Sequence, residues 1–122
     1  MNEAELRVLE AAVESWIGLW EVVWILRPLF PGQADSQILP FAQTVVRSMS
    51  DRGQVRVAQL EHRPADDGRS EIIENVLTGH DRQETISGRD AWDPPRSTQE
   101  PYVAIAATDA GEEAYQAVLR TR

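Results

Sequence analysis

Val45-Val46-Arg47-Ser48-Met49-Ser50-Asp51-Arg52-Gly53-Gln54-Val55-Arg56-Val57 and, much later in the chain, Tyr102-Val103-Ala104-Ile105-Ala106-Ala107-Thr108-Asp109-Ala110-Gly111-Glu112-Glu113-Ala114-Tyr115 are two halves of one pattern. The first reads as a helix that stops at Gly53 and turns directly into a strand. Glycine is the residue that reaches the left-handed backbone position at a helix end. Val55, Val57 and Leu60 then alternate with Gln54, Arg56 and Gln59, as a half-buried strand requires. The second half reads as a strand over 102–107, a turn capped by Thr108 or Asp109, and a closing helix. Glu112 and Glu113 sit in the first turn of that helix, and Ala114, Tyr115, Val118 and Leu119 make its apolar side.

Upstream, Ile38, Leu39, Phe41, Ala42, Val45, Val46 and Met49 extend the first helix back to residue 38, behind a cap at Asp35 or Ser36. Pro40 near its start predicts a short lead-in turn before the main helix. Residues 3–14 predict another helix, with Leu6, Leu9 and Val13 at helical spacing and acids in the first turn, where the helix dipole favours them. Ser15 either caps a second helix or lies within a continuing one. Trp16, Trp20 and Trp24 are spaced by four and predict one broad apolar face with Leu19, Val23 and Leu26, ended by Pro28 and Pro31-Gly32.

Residues 63–100 are polar and punctuated by Pro64, Gly68, Gly79, Gly88, Pro94 and Pro95. Ile72, Ile73, Val76 and Leu77 predict one or two helical turns behind Ser70, and part of this region is expected to be mobile. The chain contains no internal repeat and no low-complexity tract.

The predicted fold class is α+β. Three N-terminal helices pack on a small antiparallel hairpin carrying a long insertion, and a C-terminal helix closes the molecule. With 122 residues and 42% hydrophobic content, residues 1–122 suit one domain with a single core.

At this point the chain resembles winged-helix transcriptional regulators of the MarR and PadR type. Arg52-Gly53 matches the Arg-Gly or Lys-Gly turn after their recognition helix. Val55 to Val57 matches the following strand, and Thr108-Asp109-Ala110-Gly111 matches the Thr-x-x-Gly turn into the closing helix. The likeness covers residues 35–60 and 101–120. It implies a winged-helix domain with the wing at about 63–100, a homodimer, and a DNA-binding helix around 40–52. The chain departs from the family in its long acidic wing and in Pro40.

Charge bears on that implication. The net charge is −8, and all twelve basic residues are arginine, which reads as coding bias in a GC-rich genome. An acidic chain is repelled by phosphates at long range. Only residues 41–63 are net basic, with four arginines against Asp51 and Glu61. Arg47, Arg52, Arg56 and Arg63 are therefore the candidates for phosphate contacts on double-stranded DNA. Gln43, Thr44 and Ser48 are the candidates for base edges. Set against this is a solvated polar face with local salt bridges.

Trp16, Trp20 and Trp24 are the candidate surface for a protein partner, since tryptophan is enriched at interface hot spots. The plain alternative is that they are core. The competing function is an acidic winged-helix interaction module, an adaptor or inhibitor, that does not bind DNA. A weaker third reading is an enzyme accessory or immunity-type inhibitor that masks a basic partner.

Chemistry has little support. There is no cysteine, which excludes disulfides and zinc–cysteine sites. His62 and His80 lack metal-ligand spacing, the serines lack a positioned base, and no glycine-rich phosphate loop occurs, so no enzyme activity, metal or cofactor is expected. Residues 16–30 are too short and too polar to span a bilayer, and an acidic N-terminus without a basic segment predicts a cytoplasmic location.

Overall fold

The computed structural model describes residues 1–121. Helix α1 (Glu3–Glu14) leads into a two-residue strand β1 (Ile17–Gly18) and helix α2 (Leu19–Leu26). A 3-10 turn (Arg27–Leu29) precedes the long helix α3 (Asp35–Asp51). Strands β2 (Val55–Pro64) and β3 (Ser70–Leu77), helix α4 (Gly79–Ser87), a 3-10 turn (Asp90–Trp92), strand β4 (Tyr102–Ala107) and helix α5 (Asp109–Arg120) complete the α+β order.

The capping chemistry explains the helix limits. Asn2 accepts the Glu5 N–H at 2.8 Å while the Glu5 carboxylate accepts the Asn2 N–H, a reciprocal box that starts α1. Ser15 ends α1 in extended backbone, so the helix does not run on through the tryptophans. At the end of α3 the Gln54 N–H donates to the Met49 carbonyl at 2.9 Å and the Gly53 N–H to the Ser50 carbonyl at 3.0 Å. Gly53 has φ +71, and these bonds form the six-residue glycine cap that satisfies the last carbonyls of a helix.

The four strands form one sheet in the order β1-β4-β2-β3, antiparallel at every pairing. Val57 lies opposite Ile105, and Val55 opposite Ala107, so the two distant stretches do lie side by side. Alternation then sorts the side chains. Ile17, Val55, Val57 and Ile105 turn toward the helices and join Val8, Leu9, Val22, Leu26, Ile38, Val46 and Met49 in the main core. Ala58, Leu60 and Ala104 turn the other way and are covered by Trp16 and Tyr102.

Four expectations are corrected. Ile72, Ile73, Val76 and Leu77 form strand β3, not a helix, because β3 pairs with β2 from Ser70↔Pro64 to Leu77↔Val57. The 63–100 region is built of β3, α4 and a 3-10 turn, with Ile86 and Trp92 in the main core. Pro40 lies inside a continuous α3. It is exposed there, as is Ser36 one turn back, so the carbonyl that loses its partner faces water. The tryptophan stripe does not exist as one helical face, since Trp16 precedes β1 and only Trp20 and Trp24 lie on α2. No described helix is long and apolar enough to cross a membrane.

Candidate functional site

The polar side of α3 is the first candidate. Gln43 donates through its amide to the carbonyls of Ser87 and Gly88 at 3.3 and 3.0 Å. The Arg47 guanidinium donates to the Ser87 hydroxyl at 2.9 Å. Further along the helix, Asp51 accepts from the Gln83 amide at 2.8 Å and lies 3.5 Å from the Arg82 guanidinium. All these partners belong to α4 or its C-terminal end. Ile86, fully buried, pins α4 to the core.

The remaining predicted DNA contacts are spread over other elements. Thr44 donates to the Pro40 carbonyl at 3.1 Å, inside its own helix. The Ser48 carbonyl accepts from the Arg52 side chain at 3.3 Å. Arg52 also forms an ion pair with Glu5 of α1, whose carboxylate is buried. Arg56 projects from the sheet face away from the helices and stacks over the Trp16 ring at 4.9 Å. Arg63 pairs with Glu61 at 3.1 Å. Thus the four arginines are tied to α4, α1, Trp16 and Glu61 respectively.

The second candidate is an aromatic cleft at the open end of the sheet. Its volume is about 650 Å³. Trp16, Trp20, Tyr102, His62 and Glu21 form one side, and the segment around Arg96 forms the other. Trp20 meets Tyr102 edge to face, with centroids 5.3 Å apart, and His62 stacks on Tyr102 at 5.9 Å. An edge-to-face pair contributes about 0.5–1.5 kcal/mol beyond its buried area. Gly18 is needed here, since a Cβ on it would lie 2.2–2.6 Å from the Trp20 ring. Glu21 accepts the Gly18 N–H at 3.0 Å and so is fixed at the cleft.

Burial, and secondarily the Glu21 charge, push the Tyr102 phenol above its usual value of 10.0. The folded state holds the proton more tightly than the unfolded chain. Stability supplied by this group is therefore complete below the unfolded value and is lost as pH rises through the folded one. Alkaline absorbance titration should show Tyr102 ionising later in the native protein than in urea. Glu21→Gln should shorten that delay, and an unchanged delay would remove Glu21 as a cause.

Trp24 is 46% exposed and carries Arg27 over its ring at 5.5 Å. Arg27 also makes a two-point contact with Asp35, at 2.6 and 2.9 Å. Its hydrogen bond lowers the Asp35 pKa and raises that of Arg27. Of the predicted partner surface, Trp16 and Trp20 are brought together at the cleft, and Trp24 lines a smaller hollow that it shares with Trp20.

Sequence reasoning missed Tyr102, Glu21 and His62 as cleft residues. One signal was present: Trp16-Ile17-Gly18 alternates, so Ile17 facing inward puts Trp16 outward beside Tyr102. No cluster of three or more metal-ligating side chains occurs among the described residues. Neither a family model, nor a curated protein, nor a solved structure matches this chain.

Proposed function

We propose that this chain is a winged-helix-like protein-interaction module that does not read a DNA groove. The winged-helix reading is supported by the path α3, glycine turn, β2, and by β4 lying between β1 and β2. One observation carries the functional choice. Helix α4 sits against the polar side of α3 and engages Gln43, Arg47 and Asp51, the side that a major groove would have to approach. Ile86 and Trp92 join the main core, so α4 is fastened to the fold by apolar burial and not only by surface polar contacts. A net charge of −8 adds long-range repulsion from phosphates and attraction to basic proteins.

The test is direct titration of a fluorescent duplex at low salt, where phosphate contacts are strongest. No binding is expected. Binding that weakens steeply with salt and is lost in Arg47→Ala would overturn the module reading in favour of a DNA-binding regulator. Arg47 is the informative position, because removing Arg52 also leaves the buried Glu5 carboxylate without its partner.

A further inference from the structure

We infer that the aromatic cleft is the docking site of this module and takes an arginine side chain from a partner protein, seated on Trp20 and Tyr102 with its charge toward Glu21. The inference rests on the interaction-module reading and names the chemistry of its partner.

Charge and geometry both argue for a guanidinium. The chain already places two of its own on neighbouring indoles: Arg56 over Trp16 at 4.9 Å and Arg27 over Trp24 at 5.5 Å. A guanidinium is planar and weakly hydrated, so it stacks on aromatic faces more readily than an ammonium does. Trp20, between these two, is partly exposed and is the cleft indole without such a cap among the described residues. Glu21 lies beside it, fixed through the Gly18 N–H, and makes no ion pair among the described residues. Glu21 therefore offers a carboxylate without an ion-pair partner beside a partly exposed indole. The chain's −8 draws a basic partner toward it.

Arg96 stands on the facing wall, with its backbone N–H on the Glu100 carboxylate at 2.6 Å and its side chain exposed. Its positive charge opposes an incoming guanidinium. It therefore supplies an independent sign for the test.

The four tryptophans give four indole N–H signals in a nitrogen-15 spectrum, which serve as position markers. The probe is acetyl-Gly-Arg-Gly-amide, and its comparison is the same peptide with the uncharged isostere citrulline. The arginine peptide should shift the Trp20 signal and leave that of buried Trp92 in place. Glu21→Gln keeps the oxygen that accepts the Gly18 N–H and should weaken binding about threefold, the scale of one exposed charge contact. Arg96→Gln should leave binding unchanged or tighten it. Equal shifts from the citrulline peptide, unaltered affinity in Glu21→Gln, or weaker binding in Arg96→Gln would each overturn the inference. Such a result would leave the module reading standing. Salt-dependent duplex binding would do the reverse, removing the module reading while a Trp20 shift persisted.

Discussion

Trp92→Ala should destabilise the protein by about 3–5 kcal/mol, the range for removing a large aromatic from a packed core. Trp92 is 5% exposed and belongs to the main core. Its indole N–H donates to the Ile86 carbonyl at 3.0 Å. The substitution therefore removes ring volume and also strands a buried carbonyl, which by itself costs about 1–3 kcal/mol. Trp92→Phe weighs the two effects against each other, since it keeps a six-membered ring in the core while losing the donor and part of the volume. It should cost less than half as much as the alanine variant. Urea denaturation measures both. A loss below about 1 kcal/mol for Trp92→Ala would mean that the segment after α4 merely rests on the surface.

That variant also has a local readout. Ile86 and Trp92 hold α4 against α3, and Ser87 and Gly88 receive the Gln43 and Arg47 contacts. With the anchor gone, amide exchange over α4 and the segment following it should accelerate more than exchange in α1 or β4. The duplex titration repeated on Trp92→Ala asks whether an unlatched α4 exposes a DNA-reading surface. The interaction-module reading expects no binding there either, because Arg52 remains paired to Glu5 and Arg56 to Trp16.

What could be read from the sequence was what local chemistry decides. The limits of α1 and β4, the Gly53 stop and the Thr108 cap all follow from residues within one turn of the feature they control. The 63–100 insertion was illegible for the opposite reason. Ile72 and Ile73 sit side by side and so fit no alternating pattern, and only pairing with β2 makes that stretch a strand. Helix α4 carries a single fully buried residue, Ile86, so its amphipathic signal was too weak to find. The aromatic cleft was half legible. Trp16 and Trp20 are visible as candidates and Glu21 is their neighbour in sequence, whereas Tyr102 meets them only through the β1–β4 pairing of Gly18 with Ala104. The DNA-contact candidates follow from the polar side of a helix, and nothing local to α3 announces that α4 lies against it.

Gly111→Ala should destabilise the protein by about 2–4 kcal/mol, even though intrinsic helix propensity predicts the opposite sign. Gly111 is in the first turn of α5, where alanine would ordinarily gain about 1 kcal/mol. The contact geometry outweighs that gain. A Cβ at this position would lie 2.0 Å from the Gln54 carbonyl oxygen and 3.3 Å from the Leu9 side chain. The Gln54 carbonyl cannot yield freely, because it accepts the Thr108 N–H at 3.0 Å. Thr108 in turn accepts the Gly111 N–H at 3.1 Å and donates its hydroxyl to the Gly53 carbonyl. The glycine cap of α3 and the threonine cap of α5 are thus bonded to each other, and Gly111 leaves the space in which they meet. Overpacking at a rigid backbone contact costs about 1–3 kcal/mol, and strain on the linked caps adds to it. The melting temperature should fall by roughly 10 °C for a chain of this size. Gly53→Ala is the comparison, since its φ of +71 makes alanine strained while no atom lies within 4 Å of the added Cβ. That variant should lose only about 1 kcal/mol. If Gly53→Ala proved the more damaging of the two, backbone conformation and not the close approach at Gln54 would be what the Thr-x-x-Gly turn requires here.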